Sequence, residues 1–374
     1  MKENSRTIKV EDFDLLNSEL SSFINECRNL FFGDLIECLE RPLILQPLPK
    51  VNRDFRNAGL KVSWEILNIK NSLKELYIFV NNPKTQCVNE PLLNFGYKQI
   101  LFPFYYSNKI DNDVIDSIPG FLANMDLAKL EKIVILGDVF TLQGFSNFID
   151  FFKYNKIQLH FFYRDFDFKY FSKIEALKIK MLTLVFWVNN DVDHEVINYL
   201  VNHCTNFKIN VQFKTIVTSE QDVSIVNENL GEYLKHYELV PFYDTTNGTF
   251  FEENVYNTKS DLLEQKLSER ELFSRMFINQ LNYGRLYILP NGDIYSNLNL
   301  ISIGNIGNND LIEVLKKLTL NDEEAWLKTR NMVAPCKDCI YHFVCGPITS
   351  YEYFMDKMNL CAYNPYMNRW QGVT

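Results

Sequence analysis

MLTLVFWV, residues 181–188, carries eight consecutive residues without a charge, and all but Thr183 are apolar. A strand with one wet face alternates, whereas a near-continuous apolar run marks a strand buried on both faces, which is the condition of a parallel sheet. Runs of the same kind recur at LKELYIFV (73–80), YKQILFPFY (97–105), LEKIVILG (130–137), IQLHFFY (157–163) and KINVQFKTIV (208–217), beginning 24 to 33 residues apart. Helical patterns such as QGFSNFIDFFKY and DHEVINYLVNHC lie between them. Six β-α units over 60–245 predict an α/β fold, a partial (β/α)6 TIM-like barrel in preference to an open two-layer sheet.

The flanks are organised differently. Residues 1–55 predict a helical N-terminal segment, with Leu16, Leu20, Phe23, Ile24, Cys27 and Leu30 on one face and a Pro-punctuated RPLILQPLPK after it. After about residue 245 the β-α rhythm stops. SDLLEQKLSERELFSRMF predicts an amphipathic helix, and Pro290-Asn291-Gly292 predicts a hairpin turn within GRLYILPNGDIYSNLN. A small C-terminal domain over 265–374 follows from these features.

Composition limits the partners. The 374 residues are 47% apolar, with 30 Phe and 20 Tyr to fill more than one core. A net charge of −9 and the lack of a basic stripe argue against nucleic acid and against an anionic membrane surface. No apolar stretch reaches spanning length, and the polar start MKENSRTIKVEDFD lacks the apolar region of a signal peptide, so a reducing cytoplasm is expected. There, clustered cysteines more often bind metal than pair.

Four of the eight cysteines stand at Cys336, Cys339, Cys345 and Cys361, as C-x2-C-x5-C-x15-C. Four soft thiolates at this spacing select zinc or an iron–sulfur cluster over calcium or magnesium. His342 lies among them as a packed bystander more readily than as a ligand. Cys27, Cys38, Cys87 and Cys204 read as ordinary small buried residues.

PNGDIYSN, then IGNIG, a helix, Trp326 and C-x2-C-x5-C with a closing Cys resemble the SPASM domain. That domain is the auxiliary-cluster module at the C-terminus of radical S-adenosylmethionine enzymes that modify ribosomally made peptides, and the preceding β-α units are similar to their partial barrel. Against that family, the loop after the first strand, NNPKTQCVNEPLLN, keeps Cys87 alone where C-x3-C-x2-C is required, with Pro91 and Asn94 in the other places. The cosubstrate loop is replaced by FPFYYSNKID, and the ligands of one auxiliary cluster fall on Ser296 or Asn297 and on Thr349.

With CKDCIYHFVCGPITSYE and NLC, the chain resembles the pseudo-radical-SAM/SPASM proteins of peptide natural-product systems of the double-glycine-leader Bacteroidales type. The resemblance implies a catalytically inactive protein that binds no S-adenosylmethionine and positions a precursor peptide for a partner maturation enzyme. It also implies one 4Fe–4S cluster at the four cysteines, with zinc as the alternative. Two other functions stay open, an iron–sulfur electron-transfer component and a zinc-stapled scaffold. The opening residues could be the end of a leader-peptide recognition element or a plain helical cap.

Ligands of such barrels gather at strand C-terminal ends. Tyr105, Tyr106, Asp138 and Arg164, among the polar strand ends, are the candidates for lining a peptide trough; the alternative is that these ends are polar because loops are solvated. Asp165 and Asp167 are expected to cap the helix that follows, His194 to open a helix, and His160 to be a satisfied core histidine. No nucleophile elbow, Walker loop or G-x-G-x-x-G is present.

Overall fold

The computed structural model describes residues 72–80, 97–103, 112–125, 127–142, 144–152, 157–188, 194–230, 237–321, 323–367 and 369–370, with positions 22 and 69. The expected N-terminal helix and recognition element lie outside them. Four of the apolar runs form strands at their expected places: β1 (Glu75–Phe79), β2 (Lys132–Leu136), β3 (Ile157–Phe162) and β4 (Met181–Trp187). The run at 208–217 forms β5 (Asn210–Val217). β6 (Tyr237–Pro241), which the sequence did not announce, completes six parallel strands paired in chain order.

The other flank of β1 is taken by β7 (Arg285–Ile288), also parallel to it. The PNG turn then leads into β8 (Asp293–Tyr295), and β9 (Gly304–Asn305) ends a nine-stranded, mostly parallel sheet in the order β6-β5-β4-β3-β2-β1-β7-β8-β9. The C-terminal hairpin is thus hydrogen-bonded into the sheet. Gly292 holds φ +82° at the turn, the left-handed conformation that Asn-Gly hairpins use, and its N–H donates to the Leu289 carbonyl at 2.9 Å.

Helices α1 (Asn112–Leu122), α2 (Phe145–Phe151), α3 (Tyr170–Ala176), α4 (His194–Asn206) and α5 (Glu220–Leu230) connect successive strands. One face of the sheet, with Leu76, Ile78, Ile133, Leu159, Phe161, Leu184 and Phe213, shares a core with these helices. The opposite face, with Tyr77, Phe79, Val134, Leu136, Phe162, Val185 and Tyr287, meets Phe102, Phe242 and Leu298 from connecting segments instead. Both faces are covered, which is why the strands read as unbroken apolar runs.

Residues 97–105 were expected to be a strand. In their described part, Tyr97–Gln99 make one helical turn and 100–103 are irregular. β1 has no free flank, because β2 and β7 occupy both. Phe102 packs instead on the helix-free face, edge-on to Phe162 with ring centroids 5.1 Å apart. β6 escapes notice for the converse reason: it ends the sheet, and only Val240 of its five residues is buried.

His160 lies within β3 on the helix-free face, where the register sets it opposite Leu136 and Thr183. It is buried as expected, at 3% exposure, yet among the described residues neither ring nitrogen has a hydrogen-bond partner. The satisfied core histidine is therefore corrected to an unsatisfied one. The Thr183 hydroxyl beside it already accepts from Gln158 Nε2 at 2.6 Å.

Phe161 is fully buried, and rings of Phe140, Phe166 and Tyr170 surround it at centroid distances of 6.1, 5.4 and 5.9 Å. Phe161→Ala is expected to lower stability by about 3–5 kcal/mol, read as a drop in the urea midpoint followed by circular dichroism. Burial, with Lys214 and Lys132 nearby, holds the His160 pKa well below its ordinary value. Below pH about 6.5 the unfolded chain therefore takes up a proton that the folded one refuses, so stability falls as pH drops through this range, by up to about 1.4 kcal/mol per pH unit. Urea midpoints between neutral pH and the onset of acid unfolding should show a shallower pH slope for His160→Leu than for the native chain.

Candidate metal centre

The tail from Thr329 onward has little regular structure, so side chains hold its shape. Arg330 and Glu352 do most of this, at 6% and 0% exposure. The guanidinium grips the carboxylate with two nitrogens: Nη2 reaches Oε2 at 3.0 Å and Nη1 contacts Oε1. Arg330 also donates to the carbonyls of Gly346 (2.8 Å), Pro347 (3.2 Å) and Met358 (2.8 Å). Glu352 accepts from the Thr349 N–H at 2.8 Å and the Leu360 N–H at 3.3 Å. Thr349 and Glu352 form a reciprocal capping box at the start of α6 (Ser350–Met355).

The four cysteines are arranged around this pair. A 3-10 turn, Cys336–Asp338, closes with the Cys339 N–H donating to the Cys336 carbonyl at 2.9 Å. The Cys345 N–H donates to the Tyr341 carbonyl at 2.9 Å. Cys361 bridges in parallel to Asn257. Arg330 Nη1 lies 3.9 Å from Cys336 Sγ, and the Cys336 thiol points to the Met358 carbonyl at 3.2 Å.

Burial pushes the Cys336 thiol up to about 11 and Cys345 up to about 12, and raises Cys339 as well. Charge on Cys361 adds to the shift at all three, and the Arg330 cation opposes it. The four sulfurs are therefore within electrostatic reach of one another, beside a buried cation that favours thiolates.

The donor chemistry fits a thiolate-loving metal. A lone zinc ion with bonds of about 2.3 Å would need the sulfurs about 3.8 Å apart. Among the described residues, no three His, Cys, Asp or Glu side chains converge in this way. In an iron–sulfur cluster each thiolate binds its own iron, and the sulfurs stand further apart.

Where the resemblance loses ligands, polar side chains are committed to other work. Ser296 donates to Glu324 at 3.1 Å, Asn297 to the Asn282 Oδ1 at 3.1 Å, and Asn299 to the carbonyls of Lys98 and Ser350 at 2.7 and 3.3 Å. Asn279 donates to the Ile348 carbonyl at 2.9 Å. Thr349 caps a helix. His342 Nδ1 contacts the Cys339 carbonyl and so fixes the turn.

The other candidates are dispersed. Tyr105, Tyr106, Cys87 and the loop around it lie outside the described residues. Asp138 is wholly buried; it accepts from the Tyr170 hydroxyl at 2.8 Å and the Phe140 N–H at 3.2 Å, so its charge serves the fold and not a trough. Arg164 is exposed on the turn Tyr163–Asp165. Asp167 accepts from the Lys169 N–H at 3.0 Å and Asp165 is buried, but the N-cap of α3 is Lys169, with no side-chain cap hydrogen bond, so the expected capping by these aspartates is corrected. His194 opens α4, and Cys204 is buried with its thiol pushed up to about 12.

Sequence reasoning missed Arg330 and Glu352, although the T-x-x-E spacing of Thr349 and Glu352 announces a capping box. It also passed over Lys132 and Lys214 inside their strands, and Gln158 two residues before His160, which the period of two places on the same face of β3. No protein-family model matches the chain, and no curated protein matches it.

Glu352→Ala leaves a buried guanidinium uncompensated and is expected to cost the tail about 3–5 kcal/mol. Hydrogen exchange should show protection lost across 330–361 and kept in β1–β5. The double variant Arg330→Met/Glu352→Met, with both charges gone, should recover part of that protection.

Proposed function

We propose that this chain is a catalytically inactive relative of radical S-adenosylmethionine enzymes that binds a ribosomally made precursor peptide and positions it for a partner maturation enzyme. In this reading the six ordered parallel strands are a partial (β/α)6 barrel whose helix-free face is its inner wall. Cys336, Cys339, Cys345 and Cys361 hold one 4Fe–4S cluster, with zinc as the alternative occupant. Its contribution is folding free energy for a tail poor in core, not a reaction step.

The observation that carries the proposal is at the vacated ligand positions. Ser296, Asn297 and Thr349 are each built into hydrogen bonds of the fold, while the other four thiols remain grouped beside Arg330. Helices on one side and connecting segments on the other leave two distinct cores, as a curled sheet with an inner and an outer wall requires.

The decisive experiment mixes the full chain with a double-glycine-leader precursor encoded beside it and with the modifying enzyme of the same cluster of genes. Saturable binding to the precursor, retained when S-adenosylmethionine is omitted, is the expected result; binding to neither precursor nor enzyme sinks the proposal. For the metal, anaerobic purification should give a coloured protein with iron and sulfide in equal amounts, whereas a colourless protein containing zinc would replace the cluster by a single ion. Cys339→Ala should release the metal and expose residues 331–365 to limited proteolysis, with the strands before them still resistant.

A further inference from the structure

A cleft of about 270 Å3 opens where the segment after β6 meets the tail, and no part of the proposed function uses it. Val255, Leu281, Pro347 and Leu360 give it apolar walls, and Leu281 stays 39% exposed. Its two banks are tied together: the Asn257 N–H donates to the Leu360 carbonyl at 2.9 Å, and Lys357 Nζ to the Tyr256 hydroxyl at 2.8 Å. An apolar cavity of about 150 Å3 accepts a benzene ring, so this cleft has room for an aromatic side chain.

The two charged side chains in the wall, Arg330 and Glu352, are already committed. The five N–H groups of Arg330 meet five oxygens, two from Glu352 and one each from Gly346, Pro347 and Met358. Both Glu352 oxygens accept in turn, from Arg330, Thr349 and Leu360. The pair is neutral and has no bond to spare, so a charged ligand would lose water here and gain no partner. The Asn257 carboxamide is different. Among the described residues nothing donates to its Oδ1, and its Nδ2 stands 3.5 Å from the same Leu360 carbonyl that the Asn257 main chain already serves. A carboxamide offers an acceptor and a donor side by side, which matches the N–H and C=O of a peptide unit.

We infer that this cleft takes an uncharged aromatic side chain presented on a peptide main chain, the ring against Val255, Leu281, Pro347 and Leu360 and one peptide unit bonded by the Asn257 carboxamide. Volume sets the size of the side chain, the self-paired ions exclude charge, and the carboxamide selects an amide over a bare hydrocarbon. The source of that residue, the precursor peptide, rests on the proposed function. The cleft itself does not, and a capped single residue tests it apart from any precursor.

The test titrates the full chain, carrying carbon-13 methyl groups at leucine and valine, with N-acetylphenylalanine amide, N-acetylaspartate α-amide and toluene. The Leu281 and Val255 methyl resonances are identified by their loss in Leu281→Ile and Val255→Ile. Saturable movement of both by the capped phenylalanine, weakened about tenfold in Asn257→Ala, is the expected outcome. No movement, equal affinity in Asn257→Ala, or affinity for the aspartate compound or for toluene that matches that for phenylalanine overturns the assignment. A precursor that fails to bind while the capped phenylalanine still does removes the proposed function and leaves the cleft assigned. Asn257→Ala keeps the main-chain N–H that meets Leu360, and the native-chain titration reads the site directly even where a variant fails to fold.

Discussion

The tail of this protein depends on one buried ion pair. Between Thr329 and Cys361 there is one short helix and little regular hydrogen bonding to give the chain a path, and the apolar cluster there is small, built on Val333, Cys336 and Ile348. Arg330 supplies what secondary structure does not: a flat fork of donors reaching three loop carbonyls and a carboxylate at once. Glu352 returns the arrangement by collecting the N–H of Thr349 at the N-cap of α6 and that of Leu360 in the segment beyond the helix. A lysine, with a single compact ammonium, could not make the same set of directed bonds. The pair is worth keeping as geometry even though two charges out of water add little net stability.

The same pair gives the thiols their surroundings. Burial alone would keep Cys336, Cys339 and Cys345 protonated and inert, but the guanidinium beside them favours the anionic form that a metal needs. The scaffold thus holds its cysteines near one cation without demanding that they touch.

Much of the sheet was legible in the sequence and much of the site was not, for related reasons. Runs such as 130–137 and 181–188 report burial on two faces, and burial on two faces is what a parallel strand is. The run at 97–105 gives the same signal yet is no strand where it is described, because apolarity registers burial and not pairing, and β1 had no flank left to offer. β6 was invisible because the edge of a sheet is half wet. The four-cysteine spacing is a local pattern and stands out in the sequence, whereas Arg330 and Glu352 look like ordinary surface charges until the fold buries them. Asp138 shows the opposite error: a polar strand end that looked available is consumed by Tyr170 and a backbone N–H.

The pairing of β1 with β7 has a consequence for how the molecule is made. Glu75 and Arg285 are neighbours across that ladder but are separated by most of the chain, and every intervening unit leaves the ribosome before the second partner does. During synthesis β1 therefore waits with one flank bare, an apolar edge open to any strand that drifts past it. The three strands that close it arrive last, so the nascent sheet is protected from misassociation only when translation has passed the PNG hairpin, and a ribosome stalled before that point would release an adhesive fragment.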